Sequence, residues 1–218
     1  MTSLSRRDQQ RSQLRREILD AASAAFANKG YEQLSMRKLA AQLACSPGTL
    51  YLYFRDKDEL LHAVVEGSFA ELLKGLRAIP DDGDPVGLLK TKLRAYIEFG
   101  LRNPNHYKCA FVLPPGQDRK RPYKPHPAFD ELVQALRRCV ESGLLPEADL
   151  ATTSQVVWSC IHGLTSLLIA RPAFPWVDRE KLIDELIETA TAGIAFRAVT
   201  ASKREGGRNG SSRSRSRK

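Results

Sequence analysis

Paired cysteines are missing from this chain. Its four, Cys45, Cys109, Cys139 and Cys160, are scattered without a C-x-x-C pair, which indicates neither a disulfide framework nor a zinc knuckle. Clustered histidine is missing too: His62, His106, His126 and His162 lie far apart. His106 and Cys109 share a helical face, but two ligands do not make a zinc site. No metal and no cofactor are therefore expected. There is no Gly-rich phosphate loop and no G-x-S-x-G elbow, and no acid/base or nucleophile arrangement speaks for an enzyme. Long apolar runs are lacking as well. The most apolar stretch, Val156 to Ala170, is interrupted by Ser159, His162 and Thr165 and is too short to span a bilayer. The basic N-terminus has no apolar run behind it, which argues against a secretory signal. A cytoplasmic protein without a membrane partner is expected.

What is present describes an ordinary soluble protein: 42% hydrophobic and 27% charged residues. A chain of 218 residues accommodates one small domain plus a larger one, or one continuous helical body. The net charge of +9 sits on the ends. Residues 201–218 carry +6 and residues 1–16 carry +4, leaving −1 for residues 17–200. Basic ends attract a phosphate backbone without reading sequence, and the attraction weakens as salt rises. The same Arg/Ser tail also fits a solubilising disordered end, and composition leaves both readings open.

The informative stretch is Ser35 to Lys57, SMRKLAAQLACSPGTLYLYFRDK. Met36, Leu39, Ala40 and Leu43 recur at the spacing of one helical face, with Ser35 as an N-cap candidate. Ser46-Pro47 restarts a second helix, Pro47 standing at N1 where its missing N–H costs nothing. Only Ala44 and Cys45 separate the two patterns. Two short helices meeting across so small a turn form a helix-turn-helix.

This stretch resembles the DNA-binding motif of the TetR family of transcriptional regulators. The resemblance begins near Gly30-Tyr31-Glu32, runs through Ser35, Leu39-Ala40 and Ser46-Pro47-Gly48-Thr49-Leu50-Tyr51, and closes on Tyr53-Phe54, Lys57 and Glu59-Leu60-Leu61. Three positions depart from the common pattern. Ala44 and Cys45 stand where many members carry Gly and a branched apolar residue, and Leu34 stands where Thr is frequent. Ala44 lacks glycine's freedom at positive φ. Cys45 reads as a small apolar filler rather than a redox switch.

The chemistry expected at the motif follows from its residue types. The helix opened by Pro47 enters the major groove. Gly48 lets backbone approach DNA, and Thr49 offers a hydroxyl and a methyl. Tyr51 and Tyr53 are expected on the exposed side, with Leu50 and Phe54 inward. Lys57, beside the next helix N-terminus, adds a phosphate contact. Ser35 and Arg37 contact DNA from the preceding helix. The predicted DNA-binding set is thus Ser35, Arg37, Ser46, Pro47, Gly48, Thr49, Tyr51, Tyr53 and Lys57. The resemblance further implies that the N-terminal extension with Arg6, Arg7, Arg11, Arg15 and Arg16 lies along the DNA backbone. An ordinary solvated face is the other reading of those arginines.

Elsewhere the periodicity predicts an all-α chain of about nine helices. A helix over Ser12 to Lys29 follows a frayed start over residues 1–11. A fourth runs from Asp56, its cap, to Ile79. Five more cover Pro85 to Arg102, Pro104 to Val112, Ala128 to Ser142, Asp149 to Ala170 and Arg179 to Val199. The proline-rich segment from Leu113 to Pro127 reads as a long loop. The domain reading is a helix-turn-helix DNA-binding domain over 1–60, a helical regulatory and dimerisation domain over 61–200, and a basic disordered tail over 201–218.

By resemblance the last two helices pair with their copies in a homodimer, which implies an inverted-repeat operator. Trp158, His162 and Gly163 resemble the signature of a Trp-His-Gly class of TetR-like C-terminal domains. Trp158 and His162 either line a small-molecule pocket or form a packed core pair. Tyr96, Phe99, Tyr107, Phe111 and Phe129 are further candidates for the pocket wall. The expected function is a TetR-like repressor released from double-stranded DNA by a small-molecule effector. The competing reading is a ligand-independent protein that coats nucleic acid through its basic tail.

Overall fold

The computed structural model of the chain describes residues 6–111, 126–144 and 150–193. Among them there is no strand. The helices are α1 (Arg6–Lys29), α2 (Met36–Gln42), α3 (Pro47–Tyr51), α4 (Lys57–Arg77), α5 (Pro85–Arg102), α6 (Pro104–Phe111), α7 (Pro127–Glu141) and α8 (Leu150–Ala170). A ninth, α9, is helical over residues 179–193, the last described. The all-α expectation is met. Of the predicted loop from Leu113 to Pro127 the structure describes His126 and Pro127, and Pro127 opens α7 with His126 as its N-cap. The rest of that loop, the end of the last helix and the basic tail fall on residues outside the described ones.

One boundary differs in an instructive way. α1 begins at Arg6, well before the apolar stripe that predicted it. Arginine and glutamine are good helix formers without any apolar periodicity. Farther along the helix, side-chain bonds from Gln13 to Glu17 (2.9 Å) and from Arg16 to Gln13 (2.6 Å) add local support.

The chain divides into two compact units. Of the described residues, the first contains 6–72 together with 102–111, and the second 73–101 together with 126–144 and 150–193. α4 contributes residues to both. α6, which the sequence groups with the regulatory helices, packs on α1 in the first unit. There Cys109 is buried and directs its thiol at the Ser23 carbonyl. Its thiol is pushed up to about 12 by burial, so it packs as an inert apolar group. His106 lies between Asp20 and Ser23, 3.5 Å from each.

The first unit holds one hydrophobic cluster. Ile18, Ala22 and Phe26 of α1 meet Met36, Leu39 and Ala40 of α2, Leu50 and Phe54, and Leu60, Leu61 and Val64 of α4. The apolar stripes read from the sequence therefore converge on one centre.

In the second unit α9 buries one stripe and is tied to α5 by ion pairs. Ile183 and Ile187 are buried at i, i+4 spacing, with Thr191 continuing the stripe. Around them Lys90 pairs with Glu188 at 2.7 Å, while Arg94 pairs with Glu180 at 3.1 Å and with Asp184. α7 is anchored to α5 by Lys92–Glu131 at 2.7 Å, a largely buried ion pair that Arg77 joins at 2.9 Å.

The turn between α2 and α3 answers the question raised by Ala44. Its φ is +51°, the only positive value at a non-glycine position among the described residues. The Cys45 N–H bonds the Ala40 carbonyl (3.0 Å) and the Ala44 N–H bonds that of Ala41 (3.1 Å). This is the Schellman termination, with Cys45 packed on the core as its apolar partner. An L-residue in this conformation costs about 1–2 kcal/mol. Ala44→Gly is therefore expected to raise stability by about 1 kcal/mol, net of glycine's greater unfolded-state entropy. Urea unfolding monitored by circular dichroism checks it.

Candidate nucleic-acid interface

α3 is five residues long and cannot stand alone. It is held at its start by a cap and on its inner side by the core. The Ser46 Oγ accepts the Thr49 N–H at 3.1 Å and lies 2.9 Å from the Thr49 hydroxyl. Pro47 occupies the first turn as predicted. Leu50 and Phe54 are 0% and 2% exposed. With those two pinned inward, helical geometry turns Gly48, Tyr51 and Leu52 outward.

Ser46 and Pro47 thus shape the helix as well as standing on its surface. Thr49 is half-buried, its hydroxyl already engaged with Ser46. Gly48 is exposed, and a Cβ there would meet only the Ser46 Oγ, at 3.6 Å. The fold itself does not demand glycine at this position.

The two tyrosines are not equivalent. Tyr51 is 52% exposed. Tyr53 is half-buried, packed on the core, and carries the Arg11 guanidinium 5.9 Å from its ring centroid. Arg15 stands likewise over Phe54 at 5.4 Å. Two arginines of α1 are therefore placed beside the end of α3, a proximity that local sequence spacing could not reveal. Arg37 is exposed on α2. Ser35 is half-buried at the N-cap of α2 and makes no side-chain cap bond.

Lys57 has a second task. Its ammonium donates to the Tyr31 carbonyl at 3.0 Å and lies 3.9 Å from that ring's centroid. The Tyr31 hydroxyl donates to Asp58. That bond, with burial and the carboxylate charge added, pushes the phenol up to about 12 and keeps it a donor. Tyr31 also stacks on Phe26 at 6.0 Å. The lock ties the turn after α1 to the first turn of α4, where the Asp56 carboxylate accepts the Glu59 N–H at 2.8 Å. The sequence reading did not include Asp58 or Leu52. Leu52 is 78% exposed, the most of any large apolar side chain among the described residues. Its offset of two from both Leu50 and Phe54 was a legible sign.

These features have known counterparts. Residues 18–64 match the family model described as bacterial regulatory proteins, tetR family, and residues 89–190 match that of the tetracyclin repressor-like C-terminal domain. This chain belongs to the TetR family of transcriptional regulators. It is a DNA-binding protein of the helix-turn-helix type rather than an enzyme. It is 28% identical over 158 residues to the HTH-type transcriptional regulator AcrR of Shigella flexneri, covering 66% of this chain and 72% of that one. Over 77 residues it is 36% identical to an uncharacterized HTH-type regulator of Haemophilus influenzae, covering 35% of this chain and 41% of that one. Two solved structures share the fold. They are the TetR family regulator PfmR of Thermus thermophilus (TM-score 0.64, 24% identity, 80% and 97% coverage) and the fatty acid degradation regulator FadR of Bacillus halodurans (TM-score 0.69, 17% identity, 81% and 94% coverage). The Trp-His-Gly class finds no support in these matches.

The structure sorts the candidate effector residues of this TetR-family chain between the two units. Tyr107 and Phe111 belong to the first unit, with rings 4.7 Å apart and Phe111 edge-on to Phe69 at 5.0 Å. Tyr96, Phe99, Phe129, Trp158 and His162 belong to the second. Phe99 is buried. The Trp158 N–H donates to the Tyr96 hydroxyl (3.2 Å), which lies 3.3 Å from His162 Nδ1. His162 Nε2 is 3.3 Å from the Ser166 hydroxyl. Phe129 meets Trp158 edge-on at 5.9 Å.

Burial lowers the His162 pKa from its ordinary 6.5. The folded state therefore holds this imidazole neutral, and below about pH 6.5 the unfolded chain takes up the proton first. Stability is expected to fall as pH drops through that window, and His162→Gln to flatten the slope in pH-dependent urea unfolding. Among the described residues no helix is long and apolar enough to cross a membrane.

Proposed function

We propose that the protein is a repressor that binds an inverted-repeat operator as a homodimer and is released by a small-molecule effector. The observation that carries this is the outward face of α3. Gly48 and Tyr51 project from a helix locked by Ser46, Leu50 and Phe54, with Arg11 and Arg15 of α1 alongside. Tyr51 and Tyr53 offer phenols to phosphate or sugar. Arg37, Lys57 and the uncapped hydroxyl of Ser35 supply further backbone contacts. The reading of a protein that merely coats nucleic acid through its tail has no support in the family matches.

Dimerisation is supported by α8. Val156 and Leu167, three turns apart, are 45% and 51% exposed, with exposed Cys160 and half-buried Gly163 between them. An apolar stripe of this kind fits a helix from a second copy. The two-fold then places two copies of α3 about one helical turn of DNA apart, roughly 34–36 Å. The effector site is proposed at Tyr96, Phe99, Phe129, Trp158 and His162, with α4, shared by both units, carrying the signal. The effector needs a differential affinity of a few kcal/mol for the two states.

Selection of bound duplexes from a random pool tests the reading: an enriched inverted repeat is expected, and no enrichment overturns it. Gly48→Ala gives a second readout of opposite signs. It is expected to stabilise the free protein by about 0.5–1 kcal/mol, since nothing nearby resists the Cβ. It should weaken operator binding by holding α3 off the groove. A denaturant titration and a DNA titration on the same variant check both.

A further inference from the structure

We propose that Leu52 reads the 5-methyl group of a thymine in each operator half-site, an inference that rests on the DNA-binding reading above. Leu52 is the C-cap of α3 with helical φ −72° and ψ −18°. Its N–H is bonded to the Gly48 carbonyl at 3.2 Å and to that of Thr49 at 3.3 Å. The backbone direction is thereby set. The side chain falls on the face of Gly48 and Tyr51, four and one residues away, opposite buried Leu50 and Phe54. A lone exposed leucine is ordinary on a protein surface. At 78% exposure this one stands on the face proposed to enter a groove, with exposed Arg55 three residues on and exposed Arg11 over the adjacent Tyr53 ring.

The leucine side chain has no donor or acceptor, so phosphate oxygens and polar base edges offer it nothing. The apolar projection in the major groove is the thymine methyl. Gly48, one turn earlier and without a side chain, allows the close approach that brings Leu52 to the base edges. The contact adds to whatever hydrogen bonding Thr49, Tyr51 and Arg37 make, and it discriminates thymine from cytosine at one position per half-site.

The test uses the selected operator and the full-length protein. Each thymine is replaced in turn by deoxyuridine, which removes only the methyl, and affinities are measured for wild type and Leu52→Ala. At one thymine per half-site the replacement is expected to weaken wild type about fourfold, and about 16-fold when both half-sites are changed. Leu52→Ala should bind the thymine and uracil forms of that position equally while responding like wild type elsewhere. Three results would overturn the proposal: parallel scans for the two proteins at every thymine, an operator half-site without thymine, or a Leu52→Ala protein whose DNA-free oligomeric state has changed. The last would mean that a second protein copy covers the residue. A selection without any preferred duplex would instead remove the DNA reading itself, and this inference with it.

Discussion

Leu50→Ala is expected to destabilise the protein by about 3–5 kcal/mol, with a matching loss of operator affinity at ambient temperature. Large-to-small changes at fully buried sites lose both transfer energy and the contacts around the cavity left behind. Leu50 has no exposed surface and sits among Phe26, Leu39, Phe54 and Leu60. The cost falls on a weak point, because five-residue α3 is held chiefly by Leu50, Phe54 and the Ser46 cap. Losing one of three anchors frees the helix as well as opening a cavity. Leu52→Ala, two residues on and 78% exposed, is the internal control and should change stability by no more than about 0.5 kcal/mol. Guanidinium unfolding of both variants gives the comparison. Equal stabilities would show that α3 does not pack as described.

The Tyr51→Ala/Tyr53→Ala double variant is expected to bind the operator about 100-fold more weakly. A hydrogen bond to a charged group such as a phosphate contributes about 1.5–3 kcal/mol, and two phenols are removed at once. The single variants separate the causes. Tyr51 is half-exposed and should leave stability unchanged. Tyr53 packs on the core beneath Arg11, so Tyr53→Ala should also lower stability by about 1–2 kcal/mol. Tyr53→Phe keeps the packing and isolates the hydroxyl. Fluorescence anisotropy with the selected duplex measures all four proteins, and an unchanged affinity for the double variant would sink the site assignment.

Much of this was readable from residue order alone. The spacing of Met36, Leu39 and Ala40 and the Ser46-Pro47 start give the two motif helices to within a residue or two. Those signals are local: a cap, a fixed proline φ and a 3.6-residue stripe each act within one turn. Ala44 was legible as an anomaly, and its φ of +51° is the strained answer to that anomaly. The start of α1 was less legible, because arginine and glutamine form helix without an apolar stripe to mark it.

Sequence by itself determined the inward faces of the motif helices and where α2 and α3 start, since periodicity and capping are properties of neighbours a few positions apart. Only the tertiary structure decided what those faces meet. It drew α6 onto α1 rather than among the later helices, set Arg11 and Arg15 over Tyr53 and Phe54, and turned Lys57 toward Tyr31. It also assigned Tyr107 and Phe111 to one unit, and Tyr96, Phe129, Trp158 and His162 to the other. The reason is physical. An apolar stripe is satisfied by any complementary stripe, so its partner is selected by the packing of the whole chain and by contacts spanning tens of residues. No local pattern records that choice.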